Sequence, residues 1–179
     1  MDVLTAINKR REITRFKDTP LPEELLEKLT EALYLSPTGN NLPSREFVLL
    51  TNKDTLTQLS TATPYVKWLE QATAAVVIIG NPDVSKYWLQ DASIAGGYLW
   101  LASVSSDLGA AWGAIYHSED HEESTKRERY VRHLLHIPEH LRVVAIIGLG
   151  YPDIEPVPKE MYALDSVLHL EKYNANETN

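Results

Sequence analysis

The chain has 179 residues, 44% hydrophobic and 23% charged, with a formal net charge of −8 and no cysteine. This length suits one domain with a full core, and the missing thiols exclude disulfides, thiolate metal sites and a catalytic cysteine. The acidic balance argues against nucleic-acid binding, which needs a basic face. Apolar runs at 74–80 and 143–150 are too short to cross a bilayer, so we expect no membrane partner. The start of the chain lacks a charged region followed by an apolar run, which predicts a cytoplasmic protein.

The first informative feature is a basic run at 9–16, which follows a short amphipathic segment. It places four cations within seven residues. Arginine forks form paired, charge-assisted hydrogen bonds with phosphate oxygens. In an acidic chain, the clustering of Arg10, Arg11 and Arg15 therefore indicates a bound anion. A solvated basic patch is the alternative interpretation.

The hydrophobic pattern predicts helices and strands along most of the chain. The predicted elements are a helix that begins near Pro22 and includes 25–33, a turn-rich loop at 36–41, a strand at 47–50, short helices at 53–59 and 64–71, and a strand at 74–80. A helix at 84–105, a strand at 110–116, a helix at 124–135 and a strand at 142–150 follow. These elements, without repeats or internal linkers, predict a single α+β domain spanning 1–179.

Two segments suggest close contacts with something else. Gly96 and Gly97 lie inside the predicted 84–105 helix, where glycine costs about 1 kcal/mol relative to alanine if exposed. We therefore expect this helix to pack against another backbone or a flat ligand. The tail from Tyr151 contains three prolines and several large apolar residues without periodicity. It is predicted to be extended and to cover a neighbouring molecule.

Three features in this order resemble the FMN-dependent nitroreductase family. They are the basic run, the sequence Ser-Pro-Thr-Gly-Asn-Asn at 36–41 before a strand, and Asp-Leu-Gly-Ala-Ala-Trp-Gly at 107–113 after the long helix. The resemblance covers nearly the whole chain. It implies a mixed, mainly antiparallel sheet flanked by helices, with an extended C-terminal segment that wraps the partner subunit. It also implies a homodimer with FMN at two sites, each made by both subunits.

The resemblance also assigns cofactor-binding residues. The arginine run and the tail would bind the phosphate. The partner subunit would contribute the 36–41 loop. The backbone of the strand that contains Trp112 and Gly113 would approach N5 and O4 of the flavin. The predicted set is Arg10, Arg11, Glu12, Thr14, Pro37, Thr38, Asn41, Trp112, Gly113 and Lys159.

Several positions depart from the family pattern. Glu12 stands where the family favours serine, and we expect its carboxylate to turn outward because it would repel a phosphate. Thr14 stands where arginine or lysine is favoured, and the turn at 43–45 replaces the usual Gln-Pro-Trp. Met161 occupies the position of a phosphate-binding arginine, for which Lys159 could compensate.

The implied chemistry is hydride transfer from NADH or NADPH to the flavin and then to an acceptor in the same place. The chain has no obvious catalytic acid, base or nucleophile, so no catalytic side chain is predicted. We expect an NAD(P)H oxidoreductase that reduces nitroaromatics, quinones or similar conjugated acceptors by a ping-pong route. The alternatives are a flavin reductase or other enzyme on the same scaffold, a flavin-binding protein without turnover, and a dimeric scaffold with a basic patch. Lys67 is a candidate partner for flavin N1, or else a surface lysine.

Other groups receive structural interpretations. His117 and His121 lie in an acidic stretch that indicates a solvated loop and helix start, so no metal site is predicted. The Gly-Leu-Gly at 148–150 is followed by proline rather than a helix, which excludes a dinucleotide fingerprint. Asp91 is predicted to be a buried polar group with a hydrogen-bond partner.

Overall fold

The computed structural model describes residues 1–173. The helices of this part are α1 Val3–Lys9, α2 Glu23–Tyr34, α3 Lys53–Leu59, α4 Trp88–Ser105 and α5 His121–Leu135, and the strands are β1 Arg45–Leu50, β2 Ala74–Gly80, β3 Gly109–Ala114 and β4 Arg142–Gly150. Short 3-10 turns lie at Gly39–Asn41, Lys67–Gln71 and Leu164–Ser166. The predicted helix at 64–71 is thus only a 3-10 turn, and the strand predicted to reach 116 ends earlier. Residues 174–179 of the predicted domain lie outside the described part.

The four strands form one sheet in the order β1-β2-β4-β3, and every neighbouring pair is antiparallel. An isolated parallel bridge joins Glu12 to Ala110 at the β3 edge. The α+β fold with a mixed, mainly antiparallel sheet is therefore confirmed. The wrapping of a partner by the tail stays a prediction at this stage.

Helices cover both faces of the sheet. One core cluster contains residues of α3, the Lys67–Gln71 turn and α5, together with Ile13 and Phe16 from the basic run. The other contains residues of α2 and α4. All seven residues of β2 are buried, and each fully buried valine or isoleucine contributes about 1.5–3 kcal/mol to folding. The central strands thus anchor the fold, and β3 lies at one edge.

The two glycines of α4 have different surroundings. A Cβ on Gly96 would lie 2.3 Å from Cζ3 of Trp112, so the helix packs closely against this indole. A Cβ on Gly97 would meet no atom within 4 Å. The predicted close contact is found at Gly96 within the protomer, although the neighbour is a side chain rather than a backbone. Gly97 faces open space.

The first residues of the tail pair with the basic run. The Lys17 N–H donates to the Tyr151 carbonyl at 2.8 Å and the Asp153 N–H donates to the Arg15 carbonyl at 3.0 Å. Further on, the large apolar residues of the described tail are all more than half exposed: Val157, Met161, Tyr162, Leu164, Val167, Leu168, Leu170 and Tyr173. The tail is extended, as predicted, and its own protomer leaves these side chains uncovered. None of the helices within residues 1–173 is long and apolar enough to cross a membrane.

Candidate functional site

The basic run leaves α1 and continues along the sheet. The Arg10 N–H donates to the Ala6 carbonyl at 2.9 Å and ends the helix, and the Ile13 N–H then donates to the Ala110 carbonyl at 3.0 Å. Ile13 packs over Gly109, where a Cβ would lie 2.7 Å from its Cγ2. This packing fixes the path of the run, so the neighbouring arginines are held beside β3.

The two predicted phosphate-binding arginines point in different directions. The Arg10 guanidinium carbon lies 4.6 Å from the ring centre of Trp100, a cation–π contact. Arg11 donates from Nε to the Val157 carbonyl at 3.1 Å, and from Nη1 to the Asn8 and Arg10 carbonyls at 2.8 and 2.7 Å. Within residues 1–173, neither guanidinium forms an ion pair with an acidic side chain. Both charges are therefore available to an anion.

The remaining residues of the run take other positions. Glu12 is exposed, in agreement with the outward orientation expected for it, and Thr14 is half-buried. Arg15 lies 3.6 Å from the Asp153 carboxylate, with half or more of each side chain exposed. Such surface pairs contribute at most about 1 kcal/mol. Arg15 thus helps to attach the tail, whereas Arg10 and Arg11 keep their charges free.

The edge of β3 next to the run has unpaired backbone groups. Successive residues of a strand direct their N–H and C=O groups to opposite edges. Because the Ala110 carbonyl bonds outward to Ile13, the N–H and C=O of Trp112 face the same outer edge. No described strand pairs with that edge. A backbone donor and an acceptor of Trp112 are therefore unpaired at the strand edge that the basic run meets at Ala110.

Gly113 faces the interior instead. As the residue after Trp112 it directs its backbone groups to the other edge, toward β4, where it lies opposite Ile146. A Cβ on Gly113 would lie 2.4 Å from Cγ1 of Val66. The glycine is required by this packing, and a larger residue would disturb the core before it reached a ligand at the edge.

Trp68 covers the sheet on the same face as Val66. A Cβ on Gly148 would lie 2.4 Å from its Cζ3, and its Nε1 donates to the Tyr65 carbonyl at 2.9 Å. The neighbouring Lys67 is exposed. The open β3 edge thus lies between the turn that carries Trp68 and helix α4 on the other face. Sequence reasoning missed the packing of Trp68 on β4, although the alternate glycines at 148 and 150 of this strand were a visible signal of close packing.

The 36–41 loop lies at the opposite end of α4 from Trp100. Asp91, in the first turn of α4, accepts a hydrogen bond from the Gly39 N–H at 2.9 Å, which confirms its predicted role as a buried polar group with a partner. Nine residues separate Asp91 from Trp100, which amounts to about 14 Å along the helix axis. The structure therefore does not bring Thr38 and Asn41 together with Arg10 in one protomer.

The last predicted residue, Lys159, lies on the exposed tail. It follows Val157, whose carbonyl accepts the Arg11 bond, by two residues. Met161 is 63% exposed. The structure thus brings the tail to Arg11 and leaves Lys159 beyond that contact, facing solvent.

Comparison with known proteins identifies the class that this fold and edge define. A model of the Nitroreductase family matches residues 7–64, which contain the basic run and the 36–41 loop. A relative from Methanothermobacter thermautotrophicus, provisionally named NADH dehydrogenase/NAD(P)H nitroreductase, is 34% identical over 176 residues, covering 97% of this chain and 88% of the relative. The chain belongs to the nitroreductase family.

Solved structures agree with this assignment. A Bacteroides thetaiotaomicron protein with the same provisional name superposes with a TM-score of 0.87 at 30% identity, covering 96% of this chain and 98% of the other. An FMN-dependent nitroreductase from Clostridium difficile superposes with a TM-score of 0.81 at 29% identity, covering 97% and 99%. The predicted family and fold are thereby confirmed over almost the whole chain.

Proposed function

We propose that this protein is a homodimeric FMN-dependent oxidoreductase that takes hydride from NADH or NADPH and reduces nitroaromatics, quinones or similar conjugated acceptors by a ping-pong route. The names of the relatives, an NAD(P)H nitroreductase and an FMN-dependent nitroreductase, support the donor and the cofactor. The observation that carries the proposal is the meeting of an unpaired strand edge with a basic run at Ala110, since two arginines of that run have no acidic partner within residues 1–173. The cytoplasmic location remains a prediction.

The residues at the β3 edge fit FMN. Arg10 and Arg11 would bind the phosphate, with Glu12 and Thr14 contributing from the same run. The free N–H of Trp112 would face the edge of the ring. When bound, FMN supplies the hydride transfer, and the protein contributes orientation and electrostatics. Lys159 would approach the phosphate through the tail that Arg11 binds.

A second subunit would complete each site. The loop that carries Pro37, Thr38 and Asn41 is separated from Arg10 along α4, so it would serve the site of the partner. The exposed apolar tail supports the same arrangement, because large apolar side chains grouped on one segment mark an interaction surface. The whole chain, 1–179, would act as one domain in this dimer.

The enzyme should show both half-reactions. NADH or NADPH should bleach the visible absorbance of the bound flavin under anaerobic conditions, and a quinone or nitroaromatic should restore it. Double-reciprocal plots should be parallel, since a modified enzyme form links the two half-reactions. Samples that receive the acceptor without the nicotinamide are the control.

Other outcomes identify the alternatives. Absence of bleaching with both nicotinamides would indicate a flavin-binding protein without turnover. Reoxidation by added free flavin, but by neither a quinone nor a nitroaromatic, would indicate a flavin reductase.

Removal of the tail should abolish the dimer. A chain that ends before Pro156 loses the exposed apolar side chains, and an obligate interface of the expected size buries on the order of 2,000 Å² or more. We expect monomers or aggregates that retain little FMN, measured by light scattering and flavin absorbance. A chain that ends at Tyr173 is the matched control, because it keeps every apolar tail residue named above. A folded monomer of the full chain at micromolar concentration would contradict the dimer.

A further inference from the structure

A buried carboxylate connects the first turn of α4 to Gly39 within the 36–41 loop and to Ser44 just after it. Asp91 is 2% exposed. Its Oδ1 accepts the Gly39 N–H at 2.9 Å, and its Oδ2 accepts the Ser44 hydroxyl at 2.5 Å. Burial of a carboxylate is unfavourable unless hydrogen bonds compensate it. These two bonds therefore fix the loop on either side of its tip.

Arg45 fixes the start of the same loop. Its Nε donates to the Ser36 hydroxyl at 2.9 Å, and its Nη2 donates to the carbonyls of Ser36 and Tyr34. Burial lowers the pKa of the Arg45 guanidinium and the Asp91 carboxylate opposes that shift; the group remains cationic at physiological pH. Ser44 and Arg45 belong to the 43–45 turn that departs from the family pattern, so this chain has its own support for the loop.

The loop has a backbone conformation that needs support. Asn40 and Asn41 both have φ of 55°, in the left-handed region that asparagine tolerates better than most residues. A Cβ on Gly39 would lie 2.7 Å from Cδ2 of Tyr87. Consecutive residues in such a region persist where the surroundings determine them. Here those surroundings are Asp91 and the residues that bond to it.

Two polar side chains of the loop have no hydrogen-bond partner in the part of the chain that the structure describes. Within the described chain, neither the Thr38 hydroxyl nor the Asn41 amide forms a hydrogen bond, although the Asn41 N–H donates to the Thr38 carbonyl at 3.1 Å. The loop is thus held in place by Asp91 and Arg45, and the side chains of Thr38 and Asn41 remain free to bind a ligand. Such an arrangement suits a ligand that approaches from outside the protomer.

We propose that Asp91, together with Ser44 and Arg45, positions the 36–41 loop against the flavin held by the arginines of the partner subunit. This inference rests on the proposed function. It assigns the loop to the flavin ring, because Arg10 and Arg11 would bind the phosphate. Asp91 is a positioning residue, since it acts through the loop and touches no ligand. Its removal should therefore affect flavin recognition without removing any flavin contact.

Asp91→Asn and Ser44→Ala test the network. The asparagine can still accept the Gly39 N–H, but its NH₂ would have to donate to the Ser44 oxygen, so the charge-assisted bond from the Ser44 hydroxyl is lost. Each variant should bind FMN about tenfold more weakly, the loss associated with one hydrogen bond to a charged group. Riboflavin should be weakened by the same factor, and the visible circular dichroism of bound flavin should change. Ser44→Ala keeps the carboxylate and carries the test if Asp91→Asn does not fold. The exposed Asp83, replaced by asparagine, is the matched control.

A mixed dimer tests which subunit the loop serves. One chain carries Asp91→Asn and the other carries Arg10→Ala with Arg11→Ala, and the two chains bear different tags. If the loop crosses to the partner, one site of the mixed dimer contains both defects and the other contains none. We expect one FMN per dimer with the affinity of the unmodified protein. If the loop served its own subunit, neither site would be intact.

The outcomes separate the inference from the proposed function. Equal weakening of FMN and riboflavin, with one intact site in the mixed dimer, would support the inference. A lower melting temperature with unchanged flavin affinity would reduce Asp91 to a structural role and overturn it. Weakened FMN with unchanged riboflavin would place the effect at the phosphate and also overturn it. Failure of the unmodified protein to bind FMN would instead reject the proposed function.

Discussion

Replacing Glu128 by alanine should lower the free energy of unfolding by about 3–5 kcal/mol, the range for breaking a buried ion pair from one side. The Glu128 side chain is only 1% exposed and lies 2.7 Å from Arg142 and 3.2 Å from Arg132. It also accepts the Ser124 hydroxyl at 2.9 Å and the Val143 N–H at 3.1 Å. The variant would leave two cations without their carboxylate between α5 and β4. Urea unfolding, followed by circular dichroism, measures the loss.

The same pair makes this stability depend on pH. Burial alone would raise the pKa of Glu128, but hydrogen bonds from Arg142 and Ser124, the Arg142 charge and the Val143 N–H outweigh it and lower the pKa. A carboxyl with a lowered folded pKa stabilises the fold above its unfolded pKa of about 4.3, and this contribution is lost as the pH falls through the folded value.

The advantage of the unmodified protein over Glu128→Ala should therefore be greatest near neutral pH and shrink below about pH 4. Glu31→Ala, at an exposed position of α2, should change stability by less than about 0.5 kcal/mol. An equally small change for Glu128→Ala would contradict the structural role of the pair.

Replacing Arg10 and Arg11 together by alanine should nearly abolish FMN binding. Each charged hydrogen-bond partner contributes roughly 1.5–3 kcal/mol, which is about ten- to a hundredfold in affinity. If the two effects add, the double variant should bind FMN between about a hundred and ten thousand times more weakly. Titration followed by flavin fluorescence measures this change.

Two comparisons make the arginine experiment specific. Riboflavin lacks the phosphate, so its affinity should be almost the same in the double variant and the unmodified protein. Arg15→Ala belongs to the same run but removes a surface pair with Asp153, and it should change FMN affinity less than about threefold. Unchanged FMN affinity in the double variant would mean that the basic run is a surface patch.

The elements of this fold were predictable because their periodicity is local. The uninterrupted apolar run of β2 and the helical spacing in α2 each determine one element without help from the rest of the chain. The 64–71 segment was wrong as an α-helix because its tertiary contacts dominate: Trp68 packs over Gly148 and Leu69 is fully buried. Packing of that kind joins residues about 80 positions apart, which a local pattern does not contain.

The site residues divide in the same way. Arg10 and Arg11 were visible as a charged run, but their different orientations depend on Trp100 and on the tail carbonyl of Val157. Gly113 was assigned to the site by the family resemblance, whereas its packing against Val66 depends on the pairing of β3. Glu128 lies in a highly charged helix, and nothing in that sequence distinguishes its buried carboxylate from the more exposed carboxylates of Glu122 and Glu123.

The separation of the 36–41 loop from the arginines has a thermodynamic consequence. If each flavin contacts two chains, flavin binding and dimerisation are linked, and each strengthens the other by the same factor. Diluting the protein would then release cofactor, and adding FMN would hold the dimer together at lower protein concentrations. The active species would form by mass action from three components, two chains and their cofactor. Its abundance in a cell would then follow the supply of flavin as well as the rate of synthesis of the chain.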